Sequence, residues 1–540
     1  MIKRFLYIVV FLFGCLNAQA QGYSYYEDTQ FDMLQRQMYR IGVNTLHSSL
    51  RTYSLDELNA VFNVDSVLYA GFNKPASTSS PWRRFWQNFL WDDWLSWRKD
   101  GIYVAINPLF DFQVGKDGDR NTYINSRGFY LNGNLGKNFW FYMDFSENQA
   151  DMTEYENHYA DEYQAVAGQS SYKPMSSGYD YEIANGYIAF RIGKYLDFQI
   201  GKGKVFVGDG YRSLLLSDFA TSYPMFKMNA TFWNVKYMFM LSQLRGEPYY
   251  RRNFPSNNGR HTKYAFTHYL DLNFGGRVSV GIFENVVMCT WRVDGDHRSI
   301  DLEYINPFII LRPGEYNAGS PDKMLVGMNL SWNVAKWLTL HGQVMLNEFN
   351  GKELFGGDNF WSNKYGFLLG LKTFNLFRVD GLDMQMEYSR VRPFSYSQYD
   401  GMGTYTHNYQ PLAHPLEANF HELVGIMQYR HKRLYMRGQV NIAKYGENMD
   451  FKNDSISYGK NPNIPSRRRN DDYGIKMFQG RSTNQMYAEA QIAWLINPRS
   501  RLNIALNFRY RHKENDVVDE TSKHVSLALR WGLKSWYRDY

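Results

Sequence analysis

The feature that most constrains the fold is an alternation of apolar and polar residues that recurs from Ile102 to the last residues of the chain. In the final segment, 523–535, Val525, Leu527 and Leu529 share one face of a strand. A period of two is typical of a β-strand, because successive side chains point to opposite faces. One apolar row and one polar row suit a barrel wall with lipid outside and water inside. The sequence therefore predicts an all-β transmembrane barrel.

Seventeen such segments can be delimited, most of them 9 to 14 residues long. A tilted strand needs about 9–11 residues to cross a bilayer, so these lengths fit membrane-spanning strands. The segments are 102–114, 122–133, 138–149, 183–192, 195–203, 229–242, 262–274, 276–288, 323–332, 336–348, 365–374, 381–392, 419–430, 433–445, 484–494, 499–511 and 523–535.

The lengths of the connections indicate that one strand is missing from this count. In outer-membrane barrels short turns face the periplasm and long loops face outside, which makes segments 195–203 and 229–242 both run outward. Consecutive strands cannot do so. We therefore predict one inward strand between 204 and 228, placed at 211–220 after an outer turn at 208–210. The total is then eighteen antiparallel strands, an even number that lets a single-chain barrel close.

The glycine-rich run GKGKVFVGDGYR, which begins at Gly201, has a second interpretation as a phosphate-binding loop. Such a loop lies between a strand and a helix whose N-terminus faces the anion. No strand–loop–helix unit surrounds this run, so the turn between two strands is favoured.

Residues 1–20 resemble a secretory signal peptide, with Lys3 and Arg4 before an apolar run and a small-residue cleavage site at Ala18–Ala20. Cys15 offers a lipoprotein site as the alternative, although Phe13 fits that motif poorly. Cleavage before Gln21 would leave one cysteine, which cannot form an internal disulfide. We therefore expect an exported chain that is stabilised by packing.

Composition narrows the class of protein further. The mean hydropathy is −0.51, and no apolar run beyond the leader reaches the roughly 17–25 residues of a transmembrane helix. Aromatic residues nevertheless make up 17% of the chain, with 43 Tyr, 37 Phe and 14 Trp. The formal net charge is +7, or +5 without Lys3 and Arg4, which is too small to indicate a nucleic-acid partner. An outer-membrane barrel, with lipid and lipopolysaccharide as neighbours, explains these features.

Residues 21–101 predict a helical periplasmic segment ahead of the barrel at 102–540. Ser54 and Glu57 have the spacing of a capping box, and Ser80 followed by Pro81 predicts the start of a tryptophan-rich helix that ends at Gly101. This helix can pack on the lower mouth of the barrel or lie in the inner face of the membrane. Either arrangement could obstruct the lumen, and we expect the lumen to be closed by residues 21–100 or by outer loops that fold inward.

Two groups of residues contain side chains that could bind a metal or act in catalysis, and neither predicts an enzyme. His414, Glu417, His421 and Glu422 are possible zinc ligands, but they lack the HExxH spacing, and His421 and Glu422 would point to opposite faces of a strand. His47-Ser48-Ser49 invites comparison with barrel phospholipases, yet the pair lies in the pre-barrel segment without an orienting third group. We expect no catalytic residue, metal or cofactor.

Two predicted outer loops combine guanidinium groups with aromatic rings, which suits an acidic glycan. Arginine pairs with carboxylate or phosphate, and aromatic faces stack on sugar rings. An ordinary charged loop in contact with lipopolysaccharide is the alternative. The candidate glycan-binding residues are Arg245, Tyr249, Tyr250, Arg251, Arg252, Arg467, Arg468 and Arg469.

Four stretches resemble the Wzi family of outer-membrane capsule-assembly proteins, and in particular a Bacteroidetes branch that includes the RemB gliding-motility proteins. They are LHSSLRTYSLDEL at 46–58, VGDGYRSLLLSDFATSYP at 207–224, EYINPFIILRPGEYNAGSPDKMLVG at 303–327 and QPLAHPLEANFHEL at 410–423. The resemblance implies a non-enzymatic barrel that attaches or assembles surface polysaccharide, without assigning residues that contact the ligand. Alternatives are a gliding-motility or adhesion component, with other outer-membrane proteins as partners, and a diffusion channel.

Replacing both Arg251 and Arg252 by alanine tests the loop hypothesis. The barrel should still fold, because exposed loop substitutions usually change stability by less than about 0.5 kcal/mol. Polysaccharide retention by cells should fall, and binding by the unsubstituted protein should weaken as salt screens the charges. A full polysaccharide coat on cells with normal barrel levels would identify this loop as an ordinary solvated surface.

Overall fold

The computed structural model describes most of the chain. The described residues are 28–39, 46–51, 53–75, 80–246, 261–290, 299–300, 302–306, 322–348, 352–353, 358–399, 401, 403–449, 456–532 and 536–540. The signal-peptide prediction at 1–20 lies outside them.

Eighteen antiparallel strands form a closed barrel, which confirms the predicted fold class and strand number. Each strand pairs with its neighbours in the chain, and the last strand closes the ring on the first through pairs from His524↔Asp117 to Trp531↔Phe110. The strands are β1 (Ile102–Asp117), β2 (Arg120–Leu135), β3 (Phe139–Asp151), β4 (Tyr179–Ile192), β5 (Leu196–Gly203), β6 (Tyr223–Phe232), β7 (Val235–Gly246), β8 (His261–Phe274), β9 (Val278–Cys289), β10 (Lys323–Ala335), β11 (Leu338–Glu348), β12 (Lys364–Thr373), β13 (Leu382–Val391), β14 (Phe420–His431), β15 (Leu434–Glu447), β16 (Arg481–Asn497), β17 (Leu502–Glu514) and β18 (Asp519–Trp531).

Alternation along the strands gives the wall two different faces. In β18, Val525 and Leu527 are exposed on the outside, whereas Ser526 and Ala528 are buried on the inside. An apolar exterior and a polar interior are what a lipid-facing barrel requires. All the long loops lie at one end, together with the short turns 118–119 and 515–518, whereas every connection at the other end is short. The end without long loops is assigned to the periplasm.

The missing strand exists, but its predicted position at 211–220 is wrong. Residues 223–232 form the inward strand β6, and the predicted segment 229–242 is a hairpin that turns at Trp233–Asn234. Leu214, Leu215 and Leu216 are buried inside the barrel instead of facing lipid. Three consecutive leucines do not alternate, and a continuous apolar run indicates burial on all sides better than a lipid-facing strand.

A helical layer covers the periplasmic end of the lumen. Its helices are α1 (Asp28–Met38), α2 (Leu55–Asn59) and α3 (Val64–Leu68), and a further helix, α4 (Pro81–Trp91), follows the layer and packs on the inner end of the wall. The predicted capping box is present, since Ser54 and Glu57 bond reciprocally at the start of α2. Ion pairs attach the layer to the wall, including Arg36–Asp383 at 2.8 Å and Asp56–Arg191 at 3.0 Å. In the part of the chain that is described, every helix is too short or too polar to cross a membrane.

Helix α4 begins at Pro81 as predicted but ends at Trp91, well before Gly101. Residues Leu95–Lys99 form a short strand that pairs with Ile102–Ile106 of β1. In the barrel, β18 reaches β1 only as far as Phe110, so the inner end of β1 has an edge that β18 does not cover. An exposed edge has backbone groups that need partners, and this local pairing satisfies them.

Two segments fill the lumen from opposite ends. The outer plug, residues 204–222, folds inward from the outer end of β5, and the inner plug, residues 46–51, enters from the helical layer. They meet in a two-stranded sheet with the pairs Leu50↔Val207 and Arg51↔Phe206. Around this contact lies the largest buried apolar cluster of the described residues. Residues 536–540 also lie inside the barrel, where the ring of Tyr540 is 4.4 Å from that of Tyr159.

Because two plugs occupy the lumen, the purified protein should show little steady conductance in a planar bilayer. A barrel of 16–18 strands otherwise leaves an aqueous channel. A variant in which a short glycine-serine linker replaces residues 209–219 serves as the comparison, and its conductance should rise. Large, stable, porin-like steps in the intact protein would contradict the prediction and favour a diffusion channel.

Candidate functional site

The outer plug is held in the lumen by a buried arginine. Arg212 is only 1% exposed, and its guanidinium donates to both carboxylate oxygens of Glu422 at 2.9 and 2.8 Å. It also donates to Asp539 at 2.9 Å. Burial alone would lower the pKa of Arg212, but the carboxylates of Asp539 and Glu422 outweigh burial and raise it well above its usual value. The outer plug, strand β14 and the segment 536–540 therefore share one charged centre.

A third carboxylate binds the backbone of the plug at the same place. Glu387 of β13 accepts hydrogen bonds from the backbone N–H groups of Tyr211 and Arg212. Its side chain also lies 3.1 Å from Nε2 of His341. These contacts satisfy backbone donors that no β-ladder pairs, which is what an irregular buried segment requires.

The histidine and serines of the inner plug have a positioning role in the structure. Sequence reasoning placed His47-Ser48-Ser49 away from any strand, but all three are buried against the inside of the wall. His47 Nδ1 lies 2.6 Å from Asp271 of β8, and Ser48 donates to Asp209 of the outer plug at 2.6 Å. Ser49 donates to Asp271 at 3.2 Å. Both serine hydroxyls thus donate to carboxylates instead of to the imidazole, which is not the arrangement of a nucleophile and its base.

The four possible zinc ligands do not converge. His414 lies 2.9 Å from Glu422, which Arg212 already engages. Glu417 accepts hydrogen bonds from Tyr163 at 2.9 Å and from Lys460 at 3.1 Å. His421 and Glu422 lie on opposite faces of β14, as predicted, with Glu422 inside. Burial lowers the pKa of His414, against the opposing effect of the Glu422 carboxylate. Among the described residues, no three His, Cys, Asp or Glu side chains form a metal-binding group.

A notch interrupts the outer rim of the wall at β5 and β6. These two short strands pair only up to Gly203↔Tyr223, whereas β4 and β7 on either side extend further outward. Lys173 pairs with Asp180 of β4 on one side of the notch. On the other side, the backbone N–H of Arg245 in β7 donates to Nδ1 of His407 at 3.0 Å.

Between these two edges lies a cavity of about 590 Å³, here called the rim cavity. Its size falls within the roughly 300–1,000 Å³ of small-molecule sites. The lining combines cations, carboxylates, amides and hydroxyl groups. It consists of Ser170, Ser171, Tyr172, Lys173, Asp180, Tyr181, Glu182, Lys202, Thr221, Ser222, Pro224, Gln243, Arg245, His407 and Asn408.

The structure brings one predicted glycan-binding residue, Arg245, into the rim cavity. Tyr249, Tyr250, Arg251 and Arg252 lie outside the described residues, and the hypothesis about them stays a prediction.

The other arginine cluster is elsewhere on the outer surface. Arg467 and Arg468 lie in the short helical turn Ser466–Arg468. Arg469 stacks over Trp361 at 3.7 Å and pairs with Asp472, so it connects two outer loops. The glycan-binding role of this cluster also stays a prediction.

Sequence reasoning missed Lys173, Lys202 and His407 as lining residues. Lys202 falls in the predicted strand 195–203, for which the sequence predicts no binding role. His407 reaches the cavity from the hairpin Thr406–Pro411, about 160 residues after the end of β7. These residues come together only through the pairing of the strands, and no local sequence motif predicts their proximity.

The fold, the lipid-facing exterior and the plugged interior define the class: this is an outer-membrane β-barrel. Wzi, an outer-membrane protein of Escherichia coli that is involved in group 1 capsule assembly and described as a carbohydrate-binding β-barrel, shares the fold. The match has a TM-score of 0.56 and 14% identity, and covers 95% of this chain and 100% of Wzi. That likeness is one of architecture.

Outer-membrane proteins of Pseudomonas aeruginosa match less well. OprD matches with a TM-score of 0.41 at 9% identity over 79% of this chain and 94% of its own. OccK1 (OpdK) matches with a TM-score of 0.44 at 8% identity, over 79% of this chain and 98% of its own. No protein-family model and no curated protein sequence matches the chain. The resemblance to the RemB branch stays a prediction.

Replacing Arg212 by alanine should destabilise the barrel strongly. It would leave Glu422 and Asp539 buried without their cation, and breaking a buried pair in this way typically costs about 3–5 kcal/mol. Denaturant unfolding of the refolded protein measures the free energy. The exposed Arg467→Ala is the control, with an expected change within about 0.5 kcal/mol. Equal stabilities for the two variants would show that Arg212 does not hold the plug.

Proposed function

We propose that this barrel holds a surface polysaccharide at the cell exterior by binding an acidic segment of it in the rim cavity. The observation that carries the proposal is the position of this polar, cation-bearing cavity at the outer end of a barrel whose lumen is filled. A filled lumen favours attachment over diffusion through the barrel.

The lining of the rim cavity has the chemistry that a charged sugar chain needs. Lys202 and Arg245 offer cations for a uronate carboxylate or a phosphate. Asp180 and Glu182 can accept hydrogen bonds from sugar hydroxyl groups. The ring of Tyr172 adds an aromatic face at the same site.

The fold shared with a carbohydrate-binding barrel also supports this proposal. Wzi is a carbohydrate-binding barrel in capsule assembly, and it shares this architecture over nearly the whole chain. A role in gliding or adhesion would also act through polysaccharide at the outer surface. A deletion strain scored for capsule retention and for spreading on agar separates the capsule role from the gliding role.

The double substitution Lys202→Ala with Arg245→Ala should weaken glycan binding. A hydrogen bond to a charged group contributes about 1.5–3 kcal/mol, so losing two should reduce affinity at least tenfold. Binding of acidic polysaccharide extracted from the source strain to purified protein is the measurement, by calorimetry at two salt concentrations. Capsule retention by cells is the second readout.

The control is Lys116→Ala with Lys523→Ala, which removes the same charge from exposed positions on β1 and β18. This control should bind as the unsubstituted protein does. If both double variants lose binding equally, the interaction depends on net charge and the rim cavity is not the site. If neither loses binding, the polysaccharide binds elsewhere on the outer surface.

A further inference from the structure

A continuous row of aromatic rings runs from helix α4 to the outside of the barrel wall. Successive ring centroids are 5.8, 5.3, 5.7, 5.7 and 5.2 Å apart. We call this row the aromatic strip, and its members in order are Trp82, Phe85, Trp94, Trp531, Phe110 and Phe112.

One end of the strip already faces lipid. Phe112 belongs to the outward row of β1 together with Val114, and both side chains are exposed on the apolar exterior. Trp531 continues the outward row of β18, and the rings of Phe89, Trp94 and Phe110 pack against it. The strip therefore continues the lipid-facing surface toward the periplasmic end of the wall.

The other end of the strip is an exposed patch on α4. Trp82 is 68% exposed, Trp86 43% and Phe85 42%. Leu95 and Trp97, in the strand that follows, are exposed as well. Contiguous exposed aromatic side chains mark an interaction surface, and tryptophan is enriched where a bilayer meets water.

Specific hydrogen bonds hold α4 beside the wall. The side-chain amide of Asn497, at the inner end of β16, donates to the backbone carbonyls of Phe89 and Asp92 at 3.0 Å each. Arg499 pairs with Asp93 at 2.8 Å just beyond the helix. These contacts place α4 at the inner end of the strands, where the ring of Phe89 reaches Trp531 of the wall.

The charges of α4 fit a lipid surface. Arg83 and Arg84 are exposed next to Trp82, and the first turn of the helix contains no acidic residue. Aromatic side chains with neighbouring cations are typical of a helix that lies in the interface of a membrane with anionic lipid.

We propose that α4 lies in the inner leaflet of the outer membrane, with its aromatic patch against acyl chains and its arginines at anionic phospholipid headgroups. The bound partner is a phospholipid monolayer, because the patch is continuous with a surface that already contacts lipid. This inference is independent of the proposed polysaccharide function.

The test places an environment-sensitive NBD fluorophore on Trp82→Cys in the full chain, with Cys15 and Cys289 replaced by serine. The protein is reconstituted into vesicles of phosphatidylethanolamine and phosphatidylglycerol, with or without lipid brominated on the acyl chains. Bromine quenches only at short range, so the label should be quenched several-fold more strongly than the same label on Ala60→Cys. Ala60 is exposed at the end of α2, in the layer beneath the lumen.

Equal, weak quenching at the two positions would overturn the proposal and show that α4 faces water or another protein. Phe85→Cys provides a second labelled position if Trp82→Cys fails to fold, as judged by heat-modifiable migration. Quenching should increase with phosphatidylglycerol content, because Arg83 and Arg84 attract anionic headgroups. Replacing both arginines by glutamine should keep the quenching but remove this increase. Unchanged dependence on phosphatidylglycerol would overturn the assignment of the arginines to headgroups.

Discussion

The interior of this barrel depends on one buried cation. Arg212 joins three parts of the chain that are far apart in sequence, namely the outer plug, strand β14 and the segment 536–540. A charge in this position is stable only when carboxylates pair with it, and the surrounding amides satisfy the remaining oxygen atoms. Asn441, for example, donates to both Glu422 and Asp539 at 2.9 Å. The plug is thereby fixed by directional bonds as well as by apolar packing.

Much of the wall could be predicted from the sequence because a lipid-facing barrel repeats one simple pattern. Alternation located the strands, and the order of short and long connections showed that one was missing between 204 and 228. The same reasoning then chose the wrong residues, because Leu214–Leu216 is the most apolar part of that window. The real strand, β6, includes Lys227 and Asn229 on its inner face, so its composition is more polar than that of the plug.

The sequence indicates that the lumen is closed, but the contacts inside it and the rim cavity could not be predicted, for a different reason. Plug residues make their contacts with partners that lie more than 100 residues away, such as Ser48 with Asp209 and Arg212 with Glu422. The spacing of residues within a local segment cannot predict contacts over such distances in the chain. Arg245 was identified because guanidinium groups beside aromatic residues stand out in a loop, whereas Lys202 became a candidate only once β5 and β6 proved shorter than their neighbours.

The connection between the rim and the plug has a mechanical consequence. Thr221 and Ser222 line the rim cavity and belong to the same segment as Arg212. A tensile load on a ligand that contacts Thr221 or Ser222 would pass into strand β6 at Tyr223 and also along the outer plug to Arg212 and Asp539. Since residue 539 follows the last strand and reaches the lumen from the periplasmic end, part of the load is transferred through the membrane and away from the rim. Detachment would then strain contacts deep inside the barrel as well as those at the rim.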